Sequence, residues 1–303
     1  MVSGVADRCR ATALGLLIDR AVGEPPARVH PVAGFGALMS RVEEEMYAPS
    51  RTRGVVYAMA GVGVAALAGS IVPTAPAVAC AAAGRELRAV ASRVGVALDD
   101  DVERARTLLP ALVGRDPSAL DRSGIAAAVI ESVAENTVDA VVAPAWWAAV
   151  AGARGALVHR AINTMDAMVG HRSTRYERFG SAAARLDDFA AWLPARITVG
   201  LVLVARPRAR DAILRAVRDD APAHPSPNAG AAEAAFAGAL GVELGGPLHY
   251  GERAEDRPRL GCGPRPDAPH VAAAVRLGDD VERVLVLALA AVAAAGAVAG
   301  RSR

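Results

Sequence analysis

The chain has 303 residues, of which 53% are hydrophobic and only 4% aromatic, with a formal net charge of +2. A mean hydropathy of +0.26 is high for a soluble domain, and an excess made of Ala, Val, Leu and Gly favours close-packed helices over sheets. The near balance of charge excludes a partner chosen by bulk electrostatics, so no nucleic acid is expected, and Cys9, Cys80 and Cys262 show neither a pairing pattern nor metal-ligand spacing.

The first apolar run, Ala11 to Ile18, is short and stops at Asp19 and Arg20, which does not make a secretory signal. Pro25, Pro26 and Pro31 then fix a loop backbone before an amphipathic helix. His30, just before Pro31, is a candidate binding residue whose commoner role is capping or packing. Val55 to Ala83 carries no charge, and its first eighteen residues satisfy the requirement of about 20 for a bilayer crossing. From Gly84 to Asn136 the pattern turns amphipathic, with Asp99 to Asp101 and Ser118 with Asp121 as helix-start signals.

Polar chemistry concentrates between Glu131 and Asp188. On a helix, Glu131, Glu135 and Asp139 step by four and share one face, with Ser132 and Asn136 beside them. Carboxylates this close repel unless a cation or proton compensates them, and their oxygens are the hard ligands Mg²⁺ takes. Solvation of an exposed face is the competing explanation, weakened by the apolar run Ala140 to Ala153 that follows. That run, interrupted by Pro144, and Gly155 to Val158 make a span with an expected proline kink. Arg160, Asn163 and Asp166 recur at three-residue steps and suit a polar ligand or an internal network. Arg172, Arg175 and Tyr176 form a basic loop suited to phosphate or carboxylate oxygens, and Asp187 stands free if Arg185 pairs with Asp188.

Leu193 to Ala205 is a short span or buried helix, and Arg206, Arg208 and Arg210 favour a cytoplasmic position for its end. A Pro-stiffened loop presents His224 and Asn228 before a small-residue helix containing Glu233. The stretch from Leu244 to His270 reads as a mobile surface loop. Val284 to Gly300 is the second clear span, stopped by Arg301 and Arg303. Phosphate-loop, dinucleotide-fingerprint, zinc-protease and nucleophile-elbow motifs are absent, and period-two alternation is scarce. The expected fold is an all-α, multi-pass integral membrane bundle of one domain, residues 1–303, with roughly four or five embedded helical segments, amphipathic helices and Pro/Gly-rich loops.

Taken in order, LLIDRAVGEPPARVHPVAGFG, ESVAENTVDAVVAP, HRAINTMDAMVG, RYERFGSAAARLDD, WLPARIT and HPSPNAGAAEAAFAGALGVELGG resemble the cobalamin-biosynthesis family called CobD or CbiB, from about Leu14 to Arg276. Ala140, Ser181 and Ala191 depart from the family pattern. The resemblance implies an adenosylcobinamide-phosphate synthase in the cell membrane. Such an enzyme joins adenosylcobyric acid to aminopropanol, usually as its phosphate, through an amide, using ATP and Mg²⁺. It also implies a site facing the cytoplasm, the lipid bilayer as surroundings and other membrane enzymes of the corrinoid pathway as partners.

On that reading Glu135 and Asp139 hold the metal, with Glu131 or Asp166 completing the shell or acting as base. Arg172 and Arg175 grip phosphate, while Asn136, Asn163 and Asn228 face the amide-decorated corrin rim. His30, Arg160, Tyr176, Asp187 and His224 complete the set of candidate binding residues. Two rival classes remain: a Mg²⁺-dependent membrane prenyltransferase and a non-enzymatic corrinoid transporter or scaffold.

Overall fold

A computed structural model describes residues 2–114, 116–171, 173–250 and 253–301; of the residues singled out above, Arg172 and Arg303 lie outside them. In chain order the helices are α1 (Val2–Val22), α2 (Pro31–Met46), α3 (Arg51–Ile71), α4 (Thr74–Ala81), α5 (Gly84–Asp100), α6 (Val102–Leu108) and α7 (Arg122–Thr137). They continue with α8 (Ala143–Met165), α9 (Tyr176–Phe179), α10 (Ser181–Ala205), α11 (Arg210–Arg215) and α12 (Pro227–Leu240). Strands β1 (Leu244–Tyr250) and β2 (Arg253–Leu260) precede the last helix, α13 (Ala268–Arg301). Among the described residues, four segments are long and apolar enough to cross a membrane: Arg51–Ile71, Arg122–Gly170, Ser181–Ala205 and Ala268–Ala299. The all-α, multi-pass reading therefore holds, and the predicted spans beginning at Val55 and Val284 lie within two of these segments, each overrunning its end by one residue.

The chain divides into two compact units, residues 1–83, 139–194 and 285–303 in one, and 84–138 with 195–284 in the other. In the first, α3 lies against α8 because glycines remove the side chains that would separate them. A Cβ on Gly61 would strike Met165, and one on Gly69 would strike the backbone of Ala153 and Arg154. Met39, Tyr57, Ile162, Met165, Val169 and Phe179 fill the adjoining core. The expected kink at Pro144 is displaced. Pro144 sits in the first turn of α8, directly after a π-helical turn at Val138–Val142. Lacking an N–H, it cannot donate to Ala140 four residues back, and that carbonyl instead accepts from the Ala83 N–H at 3.0 Å. The break in helical dihedrals comes at Gly152, where φ is +65°, a value only glycine adopts without strain.

In the second unit, α7 is buried on all sides from Ile125 to Ala134, so it has no wet face, and α12 is buried likewise from Asn228 to Gly238. Asp121 starts α7 alone, accepting from the Gly124 N–H at 2.7 Å rather than closing a box with Ser118. Asp101 starts α6 in the same way through Glu103. Gly241, with φ +66°, ends α12. The stretch expected to be a loop is an antiparallel hairpin, β1 with β2, pairing Leu244 with Leu260. Its prolines obscured it: Pro247 and Pro258 are tolerated because a two-stranded pair has two edges. Leu244 and Leu260 are both fully buried, which anchors the hairpin to its unit.

Candidate active site

The first unit places four of the predicted polar residues together: Asp139, Arg160, Asn163 and Asp187. The α7–α8 segment changes to π geometry at Val138–Val142, which carries Asp139, and a second π turn, Asp166–Gly170, ends α8 and carries Asp166. Such turns recur at functional sites because they displace side chains from regular helical register. One amide of Asn163 on α8 serves two acids, Nδ2 donating to Asp139 Oδ2 at 3.2 Å and to Asp187 Oδ1 on α10 at 3.3 Å. Arg160 Nη1 reaches Asn163 Oδ1 at 3.5 Å, so a cation, an amide and two carboxylates form a chain. Buried His159 supports it from behind, its Nε2 lying 3.2 Å from the Asp139 carbonyl. A carbonyl only accepts, so Nε2 carries the proton.

Arg160 also faces a cavity of about 530 Å³ at the start of α2, lined by Glu24, His30, Ser40 and Thr164 among others. The capping role considered for His30 is present: its Nδ1 accepts from the Val32 N–H at 3.1 Å.

The second unit holds another acidic cavity, about 270 Å³, walled by Glu131, Ser132, Glu135, Glu233 and Arg257. Glu131 is 2% exposed and accepts from the Gly245 N–H at 3.0 Å, so the hairpin positions it. Glu233 is equally buried, with His224 Nε2 at 3.6 Å. Asn136 bonds back to Ser132 within its own helix, and buried Asn228 accepts from Arg196 Nη1 at 2.6 Å. Glu131 and Glu135 thus belong to one unit and Asp139 to the other.

Of the basic loop, the described residues Arg175 and Tyr176 are engaged in internal bonds. Arg175 Nη2 donates to Glu43 at 2.9 Å, Tyr176 donates to the same oxygen at 2.7 Å, and the guanidinium lies 4.2 Å over the Tyr47 ring. The Tyr176 hydroxyl is held above its ordinary pKa, first by burial and then by its bond to Glu43. Glu43, Glu233 and Arg257 were missed as site neighbours. Glu43 sits in an acidic run that reads as a solvated face, and the other two become partners only through tertiary packing.

Among the described residues, no group of three or more His, Cys, Asp or Glu side chains is arranged to hold a metal ion. Mg²⁺, commonly held by one or two carboxylates plus substrate phosphates, does not require such a group. Asp139 and Asp187, held together by Asn163, supply such a donor pair.

The family described as CobD/Cbib protein matches residues 12–278. The chain is 45% identical over 285 residues to the cobalamin biosynthesis protein CobD of Mycobacterium tuberculosis, covering 89% of this chain and 90% of the relative. It is 42% identical over 283 residues to the protein of that name from Chromobacterium violaceum, covering 87% and 90%. The Rhodobacter capsulatus protein of the same name is 42% identical over 274 residues, covering 82% and 86%. No solved structure matches. With its apolar helices, its paired carboxylates and this similarity over most of its length, the chain belongs to the CobD/CbiB protein family.

Proposed function

We propose that this protein acts in cobalamin biosynthesis, forming an amide between the free carboxylate of adenosylcobyric acid and aminopropanol or its phosphate, at the expense of ATP. A carboxylate does not condense with an amine at neutral pH unless one of its oxygens is made a leaving group. ATP supplies that activation: the departing oxygen leaves on phosphorus, the amine nitrogen forms the new C–N bond, and its surplus protons pass to a base. The observation that carries this reading is the Arg160–Asn163–Asp139/Asp187 chain within a family of cobalamin-biosynthesis proteins.

Asp139 and Asp187 would hold Mg²⁺, which when bound would neutralise phosphate charge. Asn163 fixes the orientation of both carboxylates, and His159 fixes the backbone beneath Asp139. Asp166, at the start of the π turn one turn beyond Asn163, would accept the proton from the ammonium. Glu131, Glu135 and Glu233 give the second unit a cavity suited to a cationic or amide-donor group.

The test is mass-spectrometric detection of the amide in nanodiscs given adenosylcobyric acid, aminopropanol phosphate, ATP and Mg²⁺. Product is expected from the wild type and not from folded Asp139→Asn. Corrinoid binding or flux with no ATP consumption would instead establish a transporter or scaffold, and turnover of a prenyl diphosphate would establish a transferase.

A further inference from the structure

Asp139 and Asn163 stand 24 residues apart in the chain, yet their side chains meet at 3.2 Å. In one continuous helix that interval would span about 36 Å. The stretch between them is therefore doubled back, although by length and composition Arg122–Gly170 counts as a single candidate span. The chain reverses at Gly152, with φ +65° and ψ −148°. Its two arms, residues 139–151 and 153–170, lie close along their length. A Cβ on Gly155 would strike the Trp147 carbonyl near the turn, and His159 Nε2 comes within 3.2 Å of the Asp139 carbonyl near the open end.

α3 fixes the level of the turn. It runs antiparallel to the second arm, with Gly61 against Met165 and Gly69 against Arg154. Its 21 residues measure about 32 Å, enough for the roughly 30 Å hydrocarbon core of a bilayer. Gly152 lies beside Thr74, just past the end of α3, so the turn and that end reach one face together. Polar groups gather there: Arg8 Nε donates to the Ala149 carbonyl at 3.0 Å, and Arg154 is exposed. Residues 140–151 and 155–158, by contrast, carry no charge. An exposed arginine is costly at the bilayer centre and stable among headgroup phosphates. The whole segment has 49 residues, about 73 Å as helix, which exceeds two core thicknesses.

We infer that the Arg122–Gly170 segment crosses the membrane twice, as a hairpin whose turn carries Arg154 into the headgroup layer of the opposite leaflet. Phosphate oxygens of the lipids accept there from the guanidinium. Two glycines make the hairpin possible, Gly152 by turning the chain and Gly155 by letting the arms touch. Asp139 and Asn163 then sit at one depth and open to the same side of the membrane. None of this depends on the reaction that the site performs.

Ser118→Cys before α7, Ala151→Cys at the turn and Thr174→Cys after the second arm are made singly in the full chain carrying Cys262→Ser; all three positions are exposed. A membrane-impermeant maleimide is applied to right-side-out and to inside-out vesicles, with labelling of buried Cys9 and half-buried Cys80 in the parent subtracted. Ser118→Cys and Thr174→Cys are expected to label in one orientation only, and Ala151→Cys only in the other. Arg154→Cys, equally exposed, takes over as turn probe if Ala151→Cys fails to elute as folded protein. A nitroxide on the turn cysteine is expected to be relaxed more by a nickel-chelating headgroup lipid than by dioxygen, which concentrates in hydrocarbon. Ser118→Cys and Thr174→Cys labelling in opposite orientations would mean a single crossing and overturn the inference. A turn probe that labels alongside Thr174→Cys, or in neither orientation, or that dioxygen relaxes more strongly, overturns it as well.

Discussion

Replacing Asn163 by Leu keeps the side-chain volume close and removes one amide that touches three charged groups. Its two N–H bonds, 3.2 Å to Asp139 and 3.3 Å to Asp187, hold two carboxylates that otherwise repel. Net contributions to charged partners run about 1.5–3 kcal/mol each, and bonds of this length, half-buried, belong at the low end. The pair is then worth about 3 kcal/mol, which expressed wholly in the transition state is roughly 150-fold in kcat/KM. The assay is amide product by mass spectrometry across a Mg²⁺ titration, with elution profile and unfolding temperature as folding controls. Folded Asn163→Leu is expected to lose activity on that scale and to need more Mg²⁺. Activity within about threefold of wild type, at unchanged Mg²⁺ demand, would refute the claim that this amide organises a reacting site.

Three further outcomes follow from the packing. Tyr176→Phe removes a 2.7 Å bond to mostly buried Glu43, so it should lower the apparent unfolding temperature while leaving KM for the amine phosphate unchanged; a raised KM would return this loop to the binding site. Gly69→Ala pushes a methyl group into the Ala153–Arg154 backbone and should destabilise by about 1–3 kcal/mol, whereas Gly63→Ala meets nothing within 4 Å and should be tolerated; equal unfolding temperatures for the two would contradict the α3–α8 packing. Asp267 is held below the usual carboxylate range, first by the Ala268 N–H and then by Arg122. A depressed folded-state pKa contributes stability above the ordinary carboxylate value and loses it as pH falls through the depressed one. Asp267→Asn should therefore lower the unfolding temperature near neutral pH, with the gap closing in acid; a gap that persists in acid would refute this.

The apolar segments were legible because length and hydropathy alone specify them: the run at Val55 matches α3 to within one residue at its end, and the run at Val284 lies inside α13. The acidic stripe was legible as residue types. A four-residue step assumes regular helix, and the π turn at Val138–Val142 interrupts it at Asp139. Pro144 was read correctly as a helix disturbance but placed wrongly, since its missing donor is compensated by Ala83 and the actual break falls at Gly152. The hairpin was hidden by prolines and charges, which carry no period-two signal. Arg175 looked like a phosphate ligand because its partner Glu43 lies 132 residues away in sequence, beyond any local pattern.

The most direct test of the account is a structure of the protein in nanodiscs with Mg²⁺ and a non-hydrolysable ATP analogue. Mg²⁺ is expected at Asp139 and Asp187, together with the nucleotide's phosphates. Nucleotide and metal bound elsewhere, with both carboxylates still engaged only by Asn163 and their other protein neighbours, would contradict it.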